Sequence, residues 1–223
     1  MSVAAQDRVA ELRRAVEVSP YDESARFELA QALLQRQEFA AAIETLNAAR
    51  KVFDKSPQIE LALGVAYYGQ RRFPEAVDSF LRTIRIAPAI EQPYIFLARM
   101  IEQTGDRLPE VAAKFAAFAT ANPNSYLGYY LQAKALIAQG QDAEKLLRKA
   151  LALEDRDAEL HFELGALLDQ KRQWTEAARE FARCAELNPK NAAAHYRLAR
   201  VYDRLGKRAD ARRERALHAG LTQ

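Results

Sequence analysis

Three histidines, one cysteine and a few clusters of charge are the residues of this chain whose types could support chemistry. His161 and His195 stand 34 residues apart. On equivalent turns of neighbouring helices that separation puts their rings roughly 10 Å apart, one interhelical spacing. Metal–nitrogen bonds are only about 2 Å long, so the two do not share an ion and read as partly buried packing positions. Cys184 has no second cysteine to pair with, so nothing marks an oxidising compartment. It falls in a small-residue slot that Ala49 and Ala150 fill elsewhere, and reads as a buried, inert thiol. The acidic turn Glu154-Asp155-Arg156-Asp157 lacks the spaced oxygens and loop glycine of a calcium site. No phosphate-binding glycine loop, His-Glu-x-x-His or Gly-x-Ser-x-Gly is present. The expectation is a protein that is not an enzyme and that uses no metal or cofactor.

Cations gather near the C-terminus as Arg197, Arg200, Arg204, Lys207, Arg208, Arg212, Arg213 and Arg215. Asp203, Asp210 and Glu214 lie among them at helical pairing distance, which favours a solvated cap. A net charge of +3 is too near balance to demand a nucleic acid, which is not the expected partner. An anionic partner at this basic end (RNA, acidic lipid or protein) stands as the alternative.

Alanine makes up roughly a fifth of the 223 residues, while Gly and Pro number 8 each. That mix favours helix, because Ala has the highest helix propensity and Gly and Pro are the usual breakers. No apolar run approaches the ~20 residues of a membrane span. The N-terminal Met1-Ser2-Val3-Ala4-Ala5-Gln6-Asp7-Arg8 has no basic flank followed by an apolar stretch, so it is not a signal peptide. A soluble, cytoplasmic, helical protein is expected; a piece of an exported or membrane-anchored parent would carry the same marks.

The helices repeat. Leu29, Leu63 and Leu97 lie 34 apart and each precedes a small residue (Ala30, Gly64, Ala98). Leu164-Gly165 and Leu198-Ala199 continue the pattern, again 34 apart. A second track places Phe39, Phe73 and Trp174 three residues before Ala42, Ala76 and Ala177, with Leu46, Phe80 and Phe181 four further on. Pro20, Pro88, Pro123 and Pro189 close units, as proline clashes with the preceding helical turn. Leu63, Gly64 and Tyr67 form one buried stripe, and Gly or Ala is needed where a second helix crosses closely.

This pattern resembles the tetratricopeptide repeat (TPR), a helix–turn–helix unit of 34 residues. The clearest copies are Leu63-Gly64-x-x-Tyr67…Phe73-Pro74-Glu75-Ala76…Phe80…Pro88 and Leu164-Gly165…Trp174…Ala177…Phe181…Pro189. The resemblance implies an all-α fold, a right-handed superhelical solenoid of antiparallel helix pairs forming one domain over 1–223. An N-terminal helix in 1–22 precedes repeats at about 23–56, 57–90, 91–125, 126–157, 158–191 and 192–223, the last with a polar capping helix. The third repeat carries one extra residue around Gly105–Pro109, the fourth is about two short near Gly140-Gln141-Asp142, and the sixth puts Arg215 in an apolar slot. The N-terminal helix has the register of a second helix without its first; it either seals the first repeat or marks where an upstream repeat was lost, and the second reading is favoured.

The resemblance also implies a concave groove lined by first helices. One residue beyond the core stripe, the groove positions are Phe27, Gln31, Leu34; Leu61, Val65, Tyr68; Ile95, Arg99, Glu102; Tyr130, Lys134, Ile137; Phe162, Ala166, Asp169; Tyr196, Arg200, Asp203. The leading position is apolar or aromatic in every unit. Either these residues pack on the next first helix or they form a ladder for a bound segment. The candidate binding residues are Phe27, Leu34, Leu61, Val65, Tyr68, Ile95, Arg99, Tyr130, Lys134, Phe162, Tyr196 and Arg200, with Arg99 and Lys134 offering cations to a carboxylate. The Lys/Asn clamp that some TPR proteins use for chaperone C-termini is not expected, since Phe27, Gln31, Ala62, Gln92 and Phe96 occupy its positions. The expected function is a scaffold that binds a protein or peptide in the groove and supports an assembly. Alternatives are the anionic-partner reading, the accessory domain of a larger enzyme or secretion protein, and self-association through the terminal helices.

Overall fold

The computed structural model describes residues 3–222, with side chains from Arg8 onward. Among the described residues every regular element is helical. The α-helices are α1 (Val3–Val18), α2 (Glu23–Gln35), α3 (Phe39–Arg50), α4 (Pro57–Gly69), α5 (Phe73–Ile86), α6 (Gln92–Arg99) and α7 (Leu108–Ala121), then α8 (Tyr126–Ala138), α9 (Glu144–Leu153), α10 (Ala158–Gln170), α11 (Trp174–Leu187), α12 (Ala192–Arg204) and α13 (Arg208–Leu221). Two short 3-10 turns, Ile101–Gln103 and Gly105–Arg107, separate α6 from α7. The helices group into two compact units, Met1–Lys114 and Phe115–Gln223.

Local chemistry sets the boundaries. Four of the six first helices begin at side-chain caps: Asp22 accepts from the Ala25 amide, Ser56 from Ile59, Asp157 from Glu159 and Leu160, and Asn191 from Ala194; α6 and α8 have none. Each first helix is then reversed through one residue with positive φ: Gln37 (60°), Arg71 (59°), Gly105 (53°), Gly140 (70°), Arg172 (61°) and Gly206 (73°). Left-handed backbone of this kind ends a helix cleanly and is unstrained only for glycine. Second helices lack a side-chain cap where they follow this turn, as at Glu38, Arg72, Gln173 and Lys207.

The small-residue slot is buried in all six repeats, at Ala30, Gly64, Ala98, Ala133, Gly165 and Ala199. A methyl group on Gly64 would stand 2.6 Å from Phe80 Cδ1, and one on Gly165 2.9 Å from Phe181 Cδ1. Both rings are fully buried, so they cannot swing out of the way. Glycine therefore sets how closely the second helix lies on the first.

The irregular repeats show what an insertion and a deletion cost. In the third, the extra residue ends the first helix early, at Arg99, and the chain continues through the two 3-10 turns. Glu102 consequently lies off the helical stripe. In the fourth, α9 has lost its first turn: it spans 10 residues where other second helices span 12 to 14. Ala143, Leu147 and Ala150 still occupy the buried slots held by Ala177, Phe181 and Cys184.

Candidate functional site

The stripe one residue beyond the core is neither fully buried nor fully open. Phe27, Leu34, Leu61, Val65, Tyr68, Ile95, Tyr130, Lys134 and Phe162 are half-buried, while Arg99, Tyr196 and Arg200 are exposed. Within the first unit, Tyr68 stands edge-on to Phe73 (6.0 Å) and Phe96 (5.6 Å), and Phe96 stacks on the buried Phe80. Within the second, Tyr130, Ile137, Phe162 and Ala166 pack against the core cluster around Leu164 and Phe181. Each of these side chains gives one flank to packing and keeps the other for solvent.

Lys134 departs from the expectation of a cation ready for a ligand. Its Nζ donates to Glu163 Oε1 at 2.5 Å, and both side chains are largely shielded. Glu163 lies 29 residues away, on the first helix of the next repeat, where spacing along one helix could not reveal it. The C-terminal cations are similarly reduced: Arg204 pairs with Asp169, Arg215 with Asp203, and Arg213 with Asp210 and Glu214. Arg215, placed in an apolar slot, thereby turns that slot into an ion pair with α12.

The histidines belong to a joint that recurs along the chain. A residue in the first turn of a first helix donates to the backbone carbonyl six residues earlier, in the turn between repeats. Arg26 donates to Pro20 (2.8 Å), Tyr94 to Pro88 (3.0 Å) and Tyr129 to Pro123 (3.1 Å). His161 and His195 do the same through Nε2, to the carbonyls of Asp155 and Pro189, both at 3.0 Å. Their other ring nitrogens meet Glu180 and Glu214 at 2.7 Å. With an acceptor at each nitrogen, the His161 ring satisfies both only as the imidazolium. Burial alone would lower the His161 pKa, but the bonds to Glu180 and the Asp155 carbonyl outweigh it and hold the value above that of an ordinary histidine. The sequence signal was a histidine and a glutamate 19 residues apart, present twice.

In the second repeat the same position is Glu60, which cannot donate when ionised. It is 1% exposed, with Arg82 Nε at 3.0 Å and Arg50 at 3.9 Å. Burial raises its pKa, and the two arginines only partly offset that. Cys184 is fully buried on α11, and burial pushes its thiol up to about 11. Among the described residues, no cluster of three or more His, Cys, Asp or Glu could hold a metal ion, and no helix is long and apolar enough to cross a membrane.

Fold and stripe together define a class: a repeat protein, all-helical among the described residues, in which each first helix carries an apolar or aromatic residue left partly open to solvent at one register position. Tetratricopeptide-repeat models match residues 5–58, 27–89 and 167–214, together more than half of the chain. The chain belongs to the tetratricopeptide repeat family. Among solved structures it is similar to PilW, a widely conserved type IV pilus biogenesis factor, with TM-score 0.71 and 20% identity over 87% of this chain and 90% of that one. The Pseudomonas aeruginosa PilF structure gives TM-score 0.66 and 17% identity over 86% and 88%. YrrB, described as a TPR protein with an unusual peptide-binding site, gives TM-score 0.50 and 19% identity over 94% and 91%. These likenesses establish the fold. No curated protein sequence is a significant match.

Proposed function

We propose that the chain is a noncatalytic interaction scaffold, one repeat domain over 1–223, that grips an extended or helical peptide segment along its first-helix face and so supports a multiprotein assembly. One observation carries this reading. The leading position of the stripe is apolar or aromatic in all six repeats (Phe27, Leu61, Ile95, Tyr130, Phe162, Tyr196), and it is fully buried in none of them. The adjacent small-residue slot, by contrast, is buried in every repeat. Apolar area left partly open at a fixed period is costly to keep in water unless something covers it. Peptide recognition of this kind sets apolar anchors in pockets and uses polar groups to fix direction. Leu34, Val65 and Tyr68 would extend the apolar face of the first unit, with Arg99 beside it. Lys134 and Arg200 flank the aromatic positions of the second. The test is site-specific photocrosslinking in extract from benzophenone residues placed at Leu61, Tyr196 or, as the comparison, Leu217 on α13. The first two sites should capture a shared protein that Leu217 does not. Capture from Leu217 alone would move the site off the first-helix face.

A further inference from the structure

The Lys134–Glu163 pair has a counterpart one repeat on, and there it is incomplete. In the repeat register, Ala166 on α10 stands where Lys134 stands on α8, and Arg197 on α12 stands where Glu163 stands on α10. Arg197 therefore faces an alanine where its predecessor faces an opposite charge. Its guanidinium lies 5.9 Å from the centroid of Phe162, one turn before Ala166, so it does lean onto this part of α10. It is half-buried, and among the described residues no carboxylate pairs with it. The neighbouring acids are engaged elsewhere: Glu163 with Lys134, Asp169 with Arg204 and Asp203 with Arg215. Arg200, one turn along α12, is exposed over the Tyr196 ring at 5.7 Å and, among the described residues, also has no carboxylate partner. The α10–α12 face is thus aromatic and carries uncompensated positive charge, and a shielded cation is stabilised by a partner of opposite sign.

We propose that this face takes an acidic peptide segment: a ligand Asp or Glu lies over Ala166, small enough to admit it, and pairs with Arg197, while an adjacent apolar residue rests on Phe162 and Tyr196. The inference rests on the first-helix face being the binding surface and names the chemistry of its ligand. A guanidinium forks onto a carboxylate with two parallel hydrogen bonds, which fixes the orientation of the segment as well as its charge.

The test selects a random 16-residue peptide phage library on the full chain and on Arg197→Ala, Ala166→Glu and Ala166→Gln. Ala166→Glu supplies the carboxylate from within, and Ala166→Gln matches its size without the charge. Peptides enriched on the wild-type chain should carry an Asp or Glu next to an apolar residue, and on Ala166→Gln, whose amide fills the space over residue 166 but leaves Arg197 uncompensated, that preference should be weakened without being lost. Replacing that acid by its amide should weaken binding about tenfold, as expected for a lost charge-assisted bond. The acid preference should vanish on Arg197→Ala and on Ala166→Glu, with circular dichroism showing all four chains folded. Enriched peptides with the same acid content on wild type and Arg197→Ala would overturn the proposal while leaving the groove reading intact. No enrichment on any chain would overturn the groove reading and this inference with it. Single-stranded RNA binding that depends on Arg197, alongside peptides without acid preference, would replace the acidic segment with a nucleic acid.

Discussion

Repeats 57–90 and 158–191 are packed alike and wired differently. Both place a glycine under a buried phenylalanine, Gly64 beneath Phe80 and Gly165 beneath Phe181. At the joint with the preceding repeat, however, one has Glu60 between two arginines and the other has His161 between a carboxylate and a carbonyl. A TPR unit needs close helix crossing everywhere, but the polar joint only has to satisfy its own turn. Its residue type is therefore free to vary, and with it the response of each repeat to pH.

The largest effect should come from the shared part. Gly64→Leu and Gly165→Leu should each destabilise by about 1–3 kcal/mol or more, since the phenylalanine rings have no room to yield. In urea melts Gly64→Ala should be worse than Gly165→Ala, because the Phe80 ring stands nearer than the Phe181 ring. Equal mild losses would mean that the crossings are looser than the geometry shows.

Next come the joints. His161→Leu strands the Glu180 carboxylate and the Asp155 carbonyl, and should cost about 1–3 kcal/mol at pH 6. Glu60→Gln should be neutral or stabilising at pH 7, because the fold disfavours the ionised carboxylate. A loss at Glu60 as large as that at His161 would erase the distinction between the two joints.

The pH profiles separate them further. His161 is held above its ordinary value of 6.5, so its stabilisation is complete below that value and fades as pH rises through the folded pKa. Glu60 is also raised, from 4.5, and the same sign applies: stability is greatest while it is protonated and falls as pH climbs through its folded value. Thermal melts should show Glu60→Gln flattening the profile upward from pH 4.5 and His161→Gln flattening it upward from pH 6.5. Identical profiles for the two variants would refute this separation.

The smallest effect lies in the turns. Arg71 and Arg172 adopt φ of 59° and 61°, so replacing either with glycine relieves strain but loosens the unfolded chain. Both changes should raise the melting temperature slightly and equally, by less than about 1 kcal/mol of stability. Unequal shifts would show that the two turns differ in more than their backbone.

Helix pairing was legible because packing imposes one period on leucines, small residues and prolines. The placement of the extra and missing residues followed from slips in that period. The joint was not legible, since Arg26, Tyr94, Tyr129 and His161 share no side-chain class. They share only a donor at one height on the helix, which acquires meaning once the turn carbonyl is in place. The candidate stripe was readable as positions but not as charge. Lys134 looked free because Glu163 lies on another helix, and Arg197 attracted notice only as part of a basic run. Which cations are spent and which are available is a property of the joints between repeats.

Cys184 offers a different use of the same architecture. It is the one cysteine in the chain, fully buried on α11, with a thiol far less acidic than usual. A sulfur in that condition reacts with a disulfide reagent only while the helix pair around it is open, because the nucleophile is an exposed thiolate. The rate of labelling is then a clock for the opening of the helices around α11, with no residue introduced and no other thiol to confuse the signal. A bound segment that braces α10 against α12 would slow the clock, so the protein carries its own reporter of occupancy.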